Sequence, residues 1–205
     1  YFSSFAIGGF VPSAAIGWRM SEESFVQGLG VFNNLKLRVS YGEVGNNASI
    51  SPYATQANIF QTFYDFDGTP SLGYTINALS NQGIVWERSK EINFGLDFAL
   101  SGLPISGTVE YYKRNTEDLI LDDKVPNSTG FNNVLGNVGE IENSGIEVSL
   151  NSVNVSTGDF RWTSNLTFTA NDDKVVKLAG GLTEDVGNAR FVGESVRAYY
   201  TYKFE

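Results

Sequence analysis

Residues 91–114 read EINFGLDFALSGLPISGTVEYYKR. In the first half Ile92, Phe94, Leu96, Phe98 and Leu100 oppose Glu91, Asn93 and Asp97. In the second, Ile105, Val109 and Tyr111 oppose Ser106, Thr108, Glu110 and Arg114. Successive side chains of an extended backbone point to opposite faces, so each half is an amphipathic strand and not a helix. The link SGLP, with Gly102 and Pro104, is a tight turn joining the two runs.

The same period recurs outward in both directions. SAAIGWRM (13–20) sets Ile16, Trp18 and Met20 against Arg19, and LKLRVSYG (35–42) sets Leu35, Leu37, Val39 and Tyr41 against Lys36, Arg38 and Ser40. GIEVSLN (145–151) sets Ile146, Val148 and Leu150 against Glu147, Ser149 and Asn151. RWTSNLTFTAN (161–171) places Trp162, Leu166 and Phe168 opposite Arg161 and a row of Thr and Asn, and AYYTYKF (198–204) places Tyr200, Tyr202 and Phe204 opposite Thr201 and Lys203. Alternation alone fits two all-β architectures. A soluble sandwich, such as a carbohydrate-binding or adhesin module, turns its apolar faces inward. A membrane barrel turns them out to lipid and keeps a wet, polar lumen.

The connections separate the two. YGEVGNN (41–47) opens an excursion from about Glu43 to Lys90; further long excursions run from about Asn115 to Asn143 and from about Asp172 to Ser195. Between them stand the short links SGLP and SVNVSTGD (152–159). In an up-and-down sheet alternate connections share an end, so all three long excursions fall on one rim. Outer-membrane barrels have short periplasmic turns and long extracellular loops, and this pattern matches them. Strands of nine to eleven residues are long enough to cross the bilayer core. Trp18, Trp162, Tyr199, Tyr200 and Tyr202 then read as interfacial aromatics near strand ends.

Composition narrows the function classes. Cys and His are both absent from the 205 residues, which excludes thiol catalysis, Cys/His zinc sites and a Ser-His-Asp triad within them. A formal net charge of −9 without a Lys/Arg cluster argues against nucleic acid as a partner. No run of eighteen apolar residues exists, so no transmembrane helix is expected. Both ends stop inside patterned sequence, which reads as an internal segment, residues 1–205 forming part of one barrel domain. No catalytic, cofactor-binding or metal-ligating residue is assigned; Glu140 and Glu147 read as carboxylates of a polar face, not as a catalytic pair. DFDG (65–68) reads as a turn, lacking the further ligands of a calcium loop.

The richest stretch is GTVEYYKRNTEDLILDDKVPNSTGFNNVLGNVGEIENSGIEVSLN (107–151). Its YYKRNTEDLI run leads to Pro126, Gly130 and Phe131, then to Asn137, Gly139, Glu140, Ile141, Asn143, Gly145 and Glu147. With LKLRVSYGEVGN and VWERSKEINFGLDFAL upstream and FRWTSNLTFTANDDKVVKL downstream, this order resembles the SusC/RagA-like TonB-linked outer-membrane transporters of Bacteroidota. The glycines and asparagines of the motif also read as turn formers that fold a strand back into the wall.

The resemblance implies a barrel of about twenty-two strands around a plug. It implies coupling to TonB through an N-terminal part and a SusD-like surface lipoprotein acting as a lid. The cargo it implies is an oligosaccharide or oligopeptide, imported across the outer membrane; the rival within the membrane class is a passive porin. The phase of alternation places Arg38, Asp97, Glu110 and Glu147 on the lumen side. Leu37, Val39, Phe94, Leu96, Phe98, Val148, Leu166 and Phe168 fall on the lipid side. Phe60, Phe63, Tyr64 and Phe66 lie in the first long excursion, where they either contact cargo or lid, or glue the loop to its neighbours.

Overall fold

The computed structural model describes residues 9–48, 55–76 and 79–201. Its strands are β1 (Ser13–Arg19), β2 (Phe32–Asn46), β3 (Ile59–Phe66), β4 (Thr69–Ile76), β5 (Glu87–Leu100), β6 (Ile105–Lys124), β7 (Asn133–Thr157), β8 (Phe160–Lys177), β9 (Glu184–Asp185) and β10 (Arg190–Phe191). Six of them form one antiparallel sheet in the order β1-β2-β5-β6-β7-β8, so each wall strand pairs with the wall strand next in sequence. This is the up-and-down order of a barrel wall, left open at β1 and β8.

Register decides which side chains share a face. Trp18, Leu37, Leu96, Val109, Val148 and Phe168 lie in one continuous cross-strand row. The next row holds Ile16, Val39, Phe94, Tyr111, Ile146 and Ala170. All eight residues expected to face lipid therefore stand on the same face. Leu166 and Phe168 remain 61% and 57% exposed, and no second sheet covers them among the described residues. A sandwich would bury this face; here it is left for lipid.

The apolar band has the height of a bilayer core. From Phe160 to Ala170 along β8 the strand runs roughly 34 Å at ~3.4 Å per residue. A tilt of about 40° reduces that to about 26 Å, against roughly 25 Å for the apolar band of such barrels. Above the band the same face turns ionic. Lys113 and Lys174 grip Glu142 at 2.9 and 2.8 Å, and Lys90 meets Glu117 at 2.6 Å.

The connections are shorter than the alternation suggests. β2 and β5 stay paired out to Asn46 and Glu87, and β6 and β7 to Lys124 and Asn133. The second excursion thus shrinks to 125–132, closed by a helical turn at Asn127–Thr129 and by Gly130 at φ 81°. The physical reason is that ladder hydrogen bonds continue beyond the bilayer, where neither face must be apolar and period two fades. At the opposite rim 152–159 contracts to a turn at Gly158 and Asp159, because β7 runs on to Thr157. The β1–β2 link, with a short helix at Ser24–Gln27, lies at that same end.

Three further expectations change. The first excursion contains a hairpin, β3–β4, turning at Asp67 (φ 53°) and Gly68 (φ 77°), the pair of left-handed residues that tight hairpins favour. Asn137, Gly139, Asn143 and Gly145 do not make turns; all lie inside β7. Gly145 is there for space, since a Cβ would meet Tyr112 at 2.7 Å. The seventh strand does not form within the described residues: 198–201 are irregular, and Tyr202 to Phe204 lie outside them. Tyr199 and Tyr200 are accordingly not on a wall strand; the Tyr200 ring packs against Phe191 at 5.3 Å.

Candidate functional site

The polar face of the sheet carries an ion-pair network built by register. Arg38 on β2 reaches diagonally over Gly95 on β5, where a Cβ would stand 2.8 Å from the guanidinium carbon. Its Nε donates to Asp97 Oδ2 at 2.9 Å and its Nη2 to Asp97 Oδ1 at 3.0 Å, a bidentate pair. The same Nη2 donates to Glu110 Oε1 at 2.6 Å, and Thr108 Oγ1 donates to Asp97 Oδ1 at 3.1 Å. One guanidinium thus ties three strands, β2, β5 and β6, at the mid-height of the wall.

Glu147 faces Glu110 directly across the β6–β7 pairing, yet it is exposed and makes no ion pair among the described residues. The structure therefore brings Arg38, Asp97 and Glu110 into contact and leaves Glu147 beside them, outside any ion pair among the described residues. Glu140 and Glu147 stand on opposite faces, since they are seven residues apart in β7 and the bulges beside Glu140 insert their extra residues in β6 and β8. They form no carboxylate pair.

Nearer the rim that carries the excursions, Arg114 Nε donates to Glu91 Oε2 at 2.7 Å, and the Tyr112 hydroxyl donates to Asn171 Oδ1 at 2.9 Å across Gly145. A shallow polar concavity of about 410 Å³ lies between Glu91, Glu110, Arg114, Asn143 and Glu147. Arg114 and Glu110 were legible as members of the polar face. Their pairing with particular partners was not, because it depends on register between strands.

At the rim, asparagine side chains stitch separate excursions together. Asn137 Nδ2 donates to the carbonyls of Val85 (2.8 Å) and Asp118 (2.7 Å), and its Oδ1 accepts the Val85 N–H at 2.9 Å. Asn81 Nδ2 donates to Leu135 O at 2.7 Å while its Oδ1 accepts Gly83 N–H at 2.9 Å. Glu87 accepts from Asn46 Nδ2 at 2.8 Å and from Ile120 N–H at 3.3 Å. The segment 81–87 is thereby pinned to the β6–β7 extension, with Ile84 only 1% exposed beneath it. Asp118, at φ 58°, bulges β6 where Asn137 holds its carbonyl.

The aromatic cluster is divided. Phe60, Tyr64 and Phe66 share one face of the β3–β4 hairpin with Thr62, Thr69, Ser71 and Thr75, while Phe63 lies on the other with Ile59, Leu72, Tyr74 and Ile76. Both faces are open: Phe63 and Phe66 are 72% and 66% exposed. Sequence order could not reveal the split because the hairpin itself was missed.

The family described as TonB dependent receptor-like, beta-barrel, matches residues 1–203. TonB-dependent receptor P26 of Formosa agariphila is 38% identical over 95% of this chain, which covers 20% of that protein. TonB-dependent receptor SusC of Bacteroides thetaiotaomicron is 32% identical over 95% of the chain and 21% of its own length. Among solved structures, the RagAB peptide transporter superposes with a TM-score of 0.75 at 28% identity, over 89% of this chain and 20% of that one. The RagAB peptide importer in its 'open-open' state gives 0.76 at 27% identity, again over 89% of this chain and 20% of that one. The chain spans about a fifth of the length of these relatives.

Proposed function

The chain belongs to the TonB dependent receptor-like β-barrel family, and from that premise we propose that residues 1–205 are part of the barrel domain of a SusC/RagA-type importer. They supply wall, lumen lining and outer rim. The cargo is an oligosaccharide or oligopeptide, delivered under a SusD-like surface lipoprotein, and the TonB contact and plug come from parts of the protein outside this segment. The site is the bacterial outer membrane.

One observation carries the reading. A single sheet has one face apolar over a bilayer's height and the other laced by the Arg38, Asp97 and Glu110 network. A charged network backed by lipid needs water or protein on its own side, which the interior of a plugged barrel supplies. Arg38, Asp97, Glu110 and Glu147 therefore line the lumen, and the β3–β4 hairpin projects outside the cell, its open aromatic faces meeting the lid or the cargo.

The experiment uses the intact transporter in cells. Uptake of labelled cargo is measured with and without TonB, and for Phe63→Ala/Tyr64→Ala/Phe66→Ala, together with co-purification of the lipoprotein. Loss of uptake without TonB supports an energised importer; unchanged uptake makes it a passive porin. Wild-type uptake and co-purification in the triple variant would remove the hairpin from function. Protease cleavage of β3–β4 from the periplasmic side would invert the topology.

A further inference from the structure

A cavity of about 520 Å³ lies at the rim, between the far end of the β6–β7 ladder and the turn that follows β8. Its floor is aliphatic, with Leu121, Leu178 and Leu182 among its lining, and Leu178 is 4% exposed. Its edges are ionic: Asp123 stands on the same face of β6 as Leu121, with its carboxylate toward Gly180, while Asp122 and Lys124 point to the other face, and Arg190 comes with its cross-strand partner Asp185 from the β9–β10 pair. Among the described residues no aromatic side chain lines it. The volume lies within the range of small-ligand pockets.

The cavity opens toward the polar side of the wall. Gly139 has the same parity along β7 as Asn143 and Glu147, and a Cβ on it would stand 2.6 Å from Leu121 Cδ1. Leu121 therefore leans over the polar face, on the path from the rim to the concavity beside Glu110 and Glu147. Asp123 and Arg190 make no ion pair among the described residues, although Asp185 stands across from Arg190 in the β9–β10 pairing. Arg190 is also held in a particular way, because Ala189 before it sits at φ 51°, a left-handed conformation that a residue with a Cβ avoids. The Ala189 N–H bonds Val186 O at 3.2 Å, and Asn188 Nδ2 donates to Asp185 at 2.7 Å, which fixes that turn. Strain of this sort, held in place by its surroundings, points to a functional demand at the site.

We propose that this cavity is a cargo subsite for an oligopeptide, receiving an aliphatic side chain on its floor and an adjacent cationic group at Asp123. The inference rests on the import reading above and names the class of cargo for one site. Sugar rings are held by aromatic platforms, which this floor lacks. An aliphatic pocket with unpaired charges of both signs at its edge suits a peptide, whose apolar side chains alternate with ionic ones. Arg190 is placed to meet a carboxylate of the same peptide.

The test uses the full-length transporter purified from its own outer membrane. A tryptic digest of casein, whose peptides end in Lys or Arg, and a maltodextrin mixture are offered separately, and retained material is quantified by mass spectrometry. Cellular uptake of both is followed in parallel. The wild type is expected to retain peptides with an aliphatic residue near the Lys or Arg. Leu182→Arg, which fills the floor, and Asp123→Asn, which removes the carboxylate beside it, are each expected to lower retention roughly tenfold or more. Both variants are to keep the heat-modifiable mobility of a folded barrel. Unchanged retention in both folded variants overturns the subsite. Retention and uptake of maltodextrin with no peptide retained overturns the cargo class while leaving import intact. No uptake of either by the wild type overturns the import reading and this inference with it.

Discussion

Asn137→Ala is the most informative single change, because Asn137 is polar, lies in a strand, and yet holds a different excursion in place. It removes two donations, to Val85 O and Asp118 O, and one acceptance, from Val85 N–H. A net hydrogen bond contributes about 0.5–1.5 kcal/mol, and partial exposure at this site lets water replace part of each. Three such bonds give roughly 1.5–3 kcal/mol for local opening of the segment around Val85. Each 1.4 kcal/mol is a factor of ten, so amide exchange there should accelerate by roughly 10- to 150-fold. The assay is hydrogen exchange on the intact transporter in detergent, comparing peptides that cover Ile84–Trp86 with peptides from the β5–β6 ladder as an internal reference. Asn137→Asp keeps the acceptor and loses both donors, while bringing a carboxylate against two carbonyls, so its effect should be at least as large. Exchange over Ile84–Trp86 that stays at the wild-type rate in both variants would refute the reasoning. It would mean that Asn81 and Glu87 hold the segment without Asn137.

Leu96→Arg puts a guanidinium in the middle of the apolar row between Leu37 and Val109; a cost of about 2–4 kcal/mol is expected, read as reduced assembly of the barrel in membranes. Wild-type assembly would place Leu96 away from lipid. Asp97→Asn disrupts the bidentate grip on Arg38 while Glu110 keeps its bond. The pair is partly exposed, so about 1 kcal/mol is expected, measured as the coupling in a double-mutant cycle with Arg38→Gln. A coupling of zero would show that Arg38 is satisfied by Glu110 alone. The 205 residues expressed alone in water should aggregate. β1 and β8 present strand edges without a wall partner, and the face bearing Leu166 and Phe168 is open. Sedimentation of a monodisperse, cooperatively melting monomer without detergent would contradict this.

The wall was legible in the sequence because a bilayer imposes a one-dimensional signal. Where lipid lies on one side and water on the other, every second residue must be apolar, and Leu35 to Tyr41, Ile92 to Leu100 and Leu166 to Phe168 obey that rule. The order of short and long links then determined the up-and-down topology and the rim. The limits of the strands were not legible. Beyond the bilayer both faces are wet, so β6 runs on to Lys124 and β7 starts at Asn133 without alternation to announce them. The β3–β4 hairpin escaped notice for a related reason, since both its faces carry large apolar side chains and no single phase stands out.

The sequence by itself determined which residues share each face of the wall, the family and the candidate lumen residues, because each follows from local periodicity or from ordered motifs along the chain. Only the tertiary structure decided who meets whom. That Arg38 spans Gly95 to hold Asp97 and Glu110, that Glu147 makes no ion pair among the described residues, and that Asn137 locks Val85 instead of making a turn all depend on register between strands. So does the rim cavity, whose floor joins Leu121 on β6 to Leu182 beyond β8. Register is set by the sum of many ladder bonds and cross-strand contacts, so no single stretch of sequence encodes it.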